Sequence, residues 1–137
     1  MEEQLLEEWQ ERLGLQDWVI CLRYDCARED LRSQDAIGET EWVTELKAAT
    51  IRIVDGKFDR GGILDFDFEK TLVHELLHIK FSMLEISVQN YETALVDLTQ
   101  HQLIDDMARA LIMAKRGQTK RELGKNCMKV KKMTHED

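Results

Sequence analysis

The chain has 137 residues, of which 43% are hydrophobic and 34% are charged, a balance that fits one globular domain and excludes a largely disordered chain. The formal net charge is −8, and the acidic excess lies in residues 1–114, which argues against a broad nucleic-acid-binding face. No apolar run is as long as a membrane span and no signal-peptide pattern opens the chain, so we expect a cytoplasmic protein without membrane contact.

The first half of the chain predicts one helix followed by three strands. Residues 2–13 repeat leucine and tryptophan at helical spacing and are followed by Gly14, a natural helix stop. Residues 18–24 are rich in the aromatic and β-branched residues that favour strands. The segments 38–45 and 49–54 predict two further strands joined by a turn, and polar residues alternate with isoleucine in the second. We therefore expect a small three-stranded, largely antiparallel sheet.

The second half of the chain predicts two long helices. The first spans about residues 66–85 and has an acidic N-cap candidate, Asp65 or Asp67. The second spans about residues 89–116 and ends before Gly117. The order of one helix, three strands and two helices predicts an α+β domain in which the sheet packs on the helices.

A basic tail follows this domain, so we assign residues 1–116 to the domain and residues 117–137 to the tail. The positive charges at this end of the chain can contact nucleic acid or an acidic partner, or fold onto the protein's own acidic body. No aromatic residues lie among them, so we favour a solvated or self-associated tail over a nucleic-acid-binding one. These charges are Lys115, Arg116, Lys120, Arg121, Lys125, Lys129, Lys131 and Lys132.

The cysteines and the last histidine do not suggest a site. Cys21, Cys26 and Cys127 form no CxxC pair, so we expect neither a disulfide scaffold nor an all-cysteine zinc site. His135 lies two residues from the C-terminus among charged residues, and we expect it at the surface. Free thiols agree with a reducing cytoplasm.

One stretch of the chain carries a chemical motif. Residues 74–78 read HELLH, in the middle of a predicted helix whose apolar character on almost all sides indicates burial. His74 and His78 are four residues apart, so both imidazoles point to one side of the helix and can bind one metal ion. Glu75 lies about 100° around the helix from His74, where it can reach a metal-bound water without being a ligand. The motif predicts a zinc site in which Glu75 is the general base.

A catalytic zinc needs a third protein ligand, and the next predicted helix offers four candidates. His101 lies on the apolar face of that helix, the face that must meet the core, and we favour it as the ligand. Asp97 and Asp105 lie one turn on either side, and either could be the ligand or could orient a ligating imidazole. Glu92 points to the opposite side unless the helix breaks before His101. We therefore predict one Zn²⁺ per chain, bound by the two motif histidines and His101.

The motif and its flanking pattern resemble those of small HExxH zincin metallopeptidases. Over about residues 36–114, the strands, HELLH and a helix reading HQLIDDMARALI are similar to the phage and bacterial ImmA/IrrE-type and SprT-like families. In the ImmA/IrrE type a glutamate ligand falls where His101 stands here, whereas a histidine ligand is more like SprT. The resemblance implies a minimal zincin-like domain and a zinc-dependent endopeptidase that cleaves a protein or peptide substrate.

Two further parts of a peptidase site have candidates in the sequence. In such folds the strand before the active-site helix often forms the edge of the cleft, so residues 49–54 could pair with an extended substrate. An ordinary edge or central strand is the open alternative. Tyr24 and Tyr91 are candidates, by residue type, for stabilising the oxyanion.

Two other functions remain open on the sequence alone. A protein with a zincin fold can bind zinc and act as a regulatory or interaction partner without peptidase activity, although a purely structural site has no need of Glu75. The chain could instead be a nucleic-acid-associated factor that uses the basic tail. In that case its binding would depend on salt and disappear without residues 115–137.

Overall fold

The computed structural model describes residues 1–33, 36–56, 66–82 and 93–118. Short 3₁₀ turns occupy Arg28–Asp30 and Thr44–Leu46. Three helices and a three-stranded sheet in these ranges confirm the predicted α+β class. None of these helices is long and apolar enough to cross a membrane. The regular elements, in chain order, are α1 (Glu2–Leu13), β1 (Val19–Cys26), β2 (Gly38–Val43), β3 (Ala48–Val54), α2 (Phe68–Lys80) and α3 (Thr93–Arg116).

The sheet is mixed, which corrects the prediction of a largely antiparallel sheet. Its strand order is β1-β3-β2, so the last strand in sequence lies in the centre. Ala48 of β3 lies opposite Val19 in the parallel pairing with β1 and opposite Val43 in the antiparallel pairing with β2. The chain crosses from β1 to the far edge and returns through a tight turn at Lys47, whose φ is 48°. Residues 49–54 are therefore not a free edge for a substrate, because a neighbouring strand pairs with each side of β3.

The hydrophobic core lies between β3 and the helices. Ile51 and Ile53 of β3 are fully buried, because alternate side chains of a strand point to the same face. The middle of α2 is buried on almost all sides, as its nearly continuous apolar sequence predicts. Burying one leucine or isoleucine side chain contributes roughly 1.5–3 kcal/mol to folding. The core therefore fixes how α2 packs against its neighbours. The buried stripes of α1 and α3 consist of Leu6, Trp9, Ile104, Ala108 and Ile112.

The helix ends follow local capping rules. α1 ends at Gly14, whose φ of 69° lies in the left-handed region that glycine adopts without strain. Asp67 is the N-cap of α2 and accepts a hydrogen bond of 3.1 Å from the backbone N–H of Lys70. Asp65, the other predicted cap, lies outside the described residues. α2 is shorter than predicted, while α3 ends at the predicted residue.

Ion pairs join the start of α2 to the end of α3, so the two helices run in opposite directions. We call this group the anchor cluster; its members are Glu8, Asp67, Glu69, Lys115 and Arg116. Arg116 donates to both carboxylate oxygens of Asp67, at 2.7 and 3.1 Å. Lys115 donates to Glu69 and, at 2.9 Å, to Glu8. The first two basic residues at this end of the chain thus fold onto the protein's own acidic body; residues 119–137 lie outside the described part of the chain.

Candidate metal centre

Three histidines from two helices meet at one place in the structure. His74 and His78 lie on successive turns of α2, with ring centroids 5.1 Å apart. The ring centroid of His101, on α3, lies 4.9 Å from that of His78 and 6.2 Å from that of His74. Each histidine offers one ring nitrogen, and the three nitrogens lie within 4.8 Å of one another. The packing of α2 on α3 therefore brings together the three residues that the sequence suggests as ligands.

This donor set fits a zinc ion. Zinc binds histidine at about 2.0–2.1 Å in a tetrahedral arrangement, so the nitrogens around it are roughly 3.4 Å apart. The three histidine nitrogens already lie within 4.8 Å of one another, close to that spacing. Three protein ligands leave a fourth position for water or substrate, as in catalytic zinc sites. His78 is buried and His101 is exposed, so the group is reached from solvent on the α3 side.

Burial favours the neutral form of two of the histidines. Burial, reinforced by the nearby His74 and His101, lowers the pKa of His78 to about 4. Burial also lowers the pKa of His74, although the carboxylate of Asp105 opposes the shift. The neutral imidazole is the form that binds a metal ion, so these two side chains can bind at neutral pH without first losing a proton.

Asp105 contacts His74 from the side of α3. Its Oδ1 lies 3.5 Å from Nδ1 of His74, an arrangement in which Nε2 of the same ring remains for a metal. Nζ of Lys70 lies 3.2 Å from the same oxygen, and Arg109 donates to Oδ2 at 2.8 Å. Burial alone would raise the pKa of Asp105, but Lys70 and Arg109 outweigh it and lower the pKa. Asp105 therefore lies behind His74, in the position of a residue that orients a ligand.

Glu75 is buried beside the histidines. Glu75 is only 5% exposed. The hydroxyl of Thr40 on β2 donates a hydrogen bond to Oε2 of Glu75. Burial raises the pKa of Glu75 to about 7; the hydrogen bond from Thr40 opposes this shift, and the charge of Glu39 adds to it. This burial excludes the alternative in which Glu75 is a solvent-exposed residue between two core histidines.

A cleft of about 610 Å³ runs along the three histidines and Glu75. The cleft is lined by residues of α2, of α3, and of β2 with the residues just before it. The ring of Trp42 lies nearly parallel to that of His78, with centroids 6.5 Å apart and planes inclined by 15°. Ile37 adds an apolar side chain to the lining. The cleft combines apolar surface with a few convergent polar groups, which is typical of binding sites.

Several sequence candidates do not reach this cleft. Tyr24 is not among the residues that line it, and its hydroxyl instead donates to Glu3 at 3.0 Å. Tyr91 and Glu92 lie outside the described residues, as does the side chain of Asp97.

The cysteines and the remaining histidine are likewise absent from the cleft lining where the structure describes them. Cys21 and Cys26 are free thiols, the first exposed and the second buried. Cys127 and His135 lie outside the described residues.

Besides Glu39, three residues of β2 line the cleft that no sequence motif indicated: Gly38, Thr40 and Trp42. They share one side of β2 because alternate residues of a strand point to the same face. The alternation in GETEW is visible in the sequence, but it does not indicate that this face packs on α2. That information is tertiary, so no local pattern could have supplied it.

We compared the chain with protein-family models, with curated proteins and with solved structures. None of these comparisons finds a match. The resemblance to zincin metallopeptidases therefore stays a prediction that rests on HELLH and its flanking pattern. The function has to be argued from the chemistry of the site.

Proposed function

We propose that the chain is a zinc-dependent peptidase in which His74, His78 and His101 bind one zinc ion and Glu75 is the general base. One observation carries the proposal: three histidine nitrogens lie within 4.8 Å of one another beside a buried carboxylate in a solvent-accessible cleft. A structural zinc site has four protein ligands and needs no such carboxylate, whereas a catalytic site has three and keeps one position open.

The residues around the cleft can be given roles in peptide hydrolysis. Bound zinc would polarise the scissile carbonyl and lower the pKa of a water molecule. Glu75 lines the cleft, where it would accept a proton from the water whose oxygen adds to the carbonyl carbon. It would then donate that proton to the amide nitrogen as the C–N bond breaks and the amine leaves. Asp105 would keep the imidazole of His74 in its ligating orientation.

The walls of the cleft favour an extended peptide as the substrate. β2 pairs with β3 on one side, and no other strand in the described ranges pairs with its outer edge. The main chain of such an edge can hydrogen-bond to an extended peptide. Trp42 offers an aromatic surface beside His78 for a substrate side chain. In this proposal β2 takes the role that the sequence suggested for residues 49–54.

Peptide cleavage by a Glu75→Gln variant tests the proposal. The zinc-loaded wild type should cleave an unfolded protein such as reduced casein, and Glu75→Gln should lower the rate by about 10²- to 10⁴-fold, the usual contribution of a general base. Its zinc affinity should not change, because Glu75 is not a ligand. Glu7→Gln is the matched control, since Glu7 is exposed on α1. Equal cleavage by the wild type and Glu75→Gln would contradict the proposal.

The two alternatives to the peptidase make different predictions. A zinc-binding protein without peptidase activity predicts no cleavage by the zinc-loaded wild type. A nucleic-acid-associated factor predicts salt-dependent binding of nucleic acid that is lost without residues 115–137. Of the positive charges at this end of the chain, Lys115 and Arg116 are paired with acidic residues of the same chain.

A further inference from the structure

One face of β2 contacts the proposed catalytic groups at three alternate residues of the strand. The hydroxyl of Thr40 donates a hydrogen bond to Oε2 of Glu75, and its oxygen also lies 3.5 Å from the backbone carbonyl oxygen of Glu75. Two residues earlier, a Cβ on Gly38 would lie 3.0 Å from Oε1 of Glu75. Two residues later, Trp42 lies parallel to His78. The face formed by Gly38, Thr40 and Trp42 thus meets α2 along the motif.

The two carboxylate oxygens of Glu75 have different surroundings. Oε2 accepts the hydrogen bond from Thr40, which fixes the direction of the carboxylate. Oε1 lies against the backbone of Gly38, where the missing side chain leaves the space that the carboxylate uses. An alanine at this position would also come within 3.0 Å of Cγ2 of Thr71, a distance that real Cβ atoms rarely show. β2 therefore contacts both oxygens: Thr40 donates to Oε2, and Gly38 leaves room for Oε1.

We propose that Thr40 is a positioning residue, which together with the small Gly38 holds the carboxylate of Glu75 in the orientation that a general base requires. This inference rests on the proposed peptidase function, and it deepens it by assigning the orientation of the base to β2. A glutamate side chain has three rotatable bonds, and a base is effective only when a lone pair is directed at the proton it accepts. The hydroxyl of Thr40 supplies that restraint from a rigid element.

Paired substitutions at Thr40 test the inference through kinetics. Thr40→Val keeps the shape of the side chain but removes the donor, so it should lower kcat by about 10- to 100-fold, as the loss of outer-shell hydrogen bonds does. KM and zinc affinity should not change, and Thr40→Ser should restore most of the rate because it restores the donor. Thr50→Val is the matched control, since Thr50 lies on β3 and is not among the cleft-lining residues.

A double-variant comparison separates positioning from general damage to the fold. If Thr40 acts through Glu75, Thr40→Val should cause no further loss of rate in a Glu75→Gln background, because residues that act as a unit are not additive. If Thr40 only supports the fold, both losses should multiply. Gly38→Ala should also lower kcat, since its Cβ would displace Oε1 of Glu75.

Crystal structures of the as-purified wild type and Thr40→Val provide a readout that needs no activity. We expect the Glu75 carboxylate to move by more than about 0.5 Å, the tolerance of a catalytic group, while the three histidine rings stay in place. A carboxylate that stays in place, or an unchanged kcat with a displaced carboxylate, would overturn the inference. If the wild type cleaves no peptide, the peptidase proposal fails, and the position of Glu75 in Thr40→Val alone decides whether Thr40 positions it.

Discussion

Two groups of polar residues cross the same interface between α2 and α3, and they are built in opposite ways. In the anchor cluster, carboxylates face cations: Arg116 donates to both oxygens of Asp67. In the group of three histidines, similar side chains face one another within 4.8 Å. Opposite charges neutralise each other without any external group, whereas three imidazoles that face one another offer nitrogens that could bind a cation.

The pKa values show the same difference. Burial would raise the pKa of Asp67, but Arg116 and the backbone N–H of Lys70 outweigh it and lower the pKa. Burial and the neighbouring histidines act together to lower the pKa of His78 to about 4. The first environment stabilises a charge, and the second keeps a ligand neutral. We therefore expect the anchor cluster to control the stability of the fold and the histidines to control metal binding.

The largest expected effect comes from removing the third ligand. His101→Ala should weaken zinc binding by roughly 10²-fold or more, since a zinc binding free energy of about 10–16 kcal/mol is shared among few ligands. The free energy of unfolding of the metal-free chain should hardly change, because His101 is exposed. Competition with a zinc chelator and urea unfolding measure the two quantities. Gln102→Ala, at the exposed neighbouring position, is the control; a similar loss of zinc affinity there would count against the assignment.

Removing the residue behind the first ligand should have the next largest effect. Asp105→Asn keeps the shape of the side chain but removes the charge that faces Nδ1 of His74. Loss of such a partner typically weakens metal binding by about 10- to 100-fold. The chelator competition that measures His101→Ala also measures this variant. Unchanged affinity in Asp105→Asn would show that His74 does not depend on this carboxylate.

A substitution in the anchor cluster should lower the stability of the fold and leave zinc affinity unchanged. Asp67→Ala removes the N-cap of α2 and the carboxylate that Arg116 binds, so we expect a loss of about 1–2 kcal/mol in the free energy of unfolding. Zinc affinity should stay at the wild-type level, because the histidines lie away from the end of the helix pair that the anchor cluster occupies. A zinc affinity that falls as steeply as in Asp105→Asn would show that the two groups are not independent.

Acid should weaken the anchor cluster by a smaller amount. The pKa values of Asp67 and Glu69 are lowered in the folded chain, against the burial that would raise them, by Arg116 and Lys115. Their contribution is fully present above the unfolded pKa values near 4 and is lost as the pH falls through the lowered folded values. Urea unfolding from pH 6 to pH 3 should therefore show a shallower loss of stability in Asp67→Asn than in the wild type. Parallel curves would contradict this assignment.

The helices and most of the candidate site were predictable because their signals are local. HELLH places His74 and His78 on one side of α2 by helix geometry alone. On the next helix, the angular positions placed His101 on the apolar face together with Asp97 and Asp105, and ligand chemistry favoured His101 among them. The structure places its ring 4.9 Å from that of His78, although His101 is exposed rather than buried in the core. The burial of Ile104 and Ala108 confirms which face of α3 meets the core.

The strand order and the contribution of β2 could not be predicted in the same way. β1 and β3 pair in parallel although β2 lies between them in sequence, and this pairing depends on a crossover that leaves no periodic signal. Thr40 and Trp42 belong to the site only because β2 packs along α2. The sequence shows the alternation of β2 but does not show that β2 packs on α2. The hydrogen bond from Thr40 to Glu75, which are 35 residues apart, therefore could not be predicted from a local pattern.

Zinc binding by the purified chain at neutral pH is the most direct test of the central claim. The wild type should bind one zinc ion per chain, and a His74→Ala/His78→Ala variant should bind none. His135→Ala removes a histidine from outside the described residues and should bind zinc as the wild type does. A folded wild type that binds no zinc, or a double variant that binds as much as the wild type, would contradict the assignment of the three histidines as a metal centre.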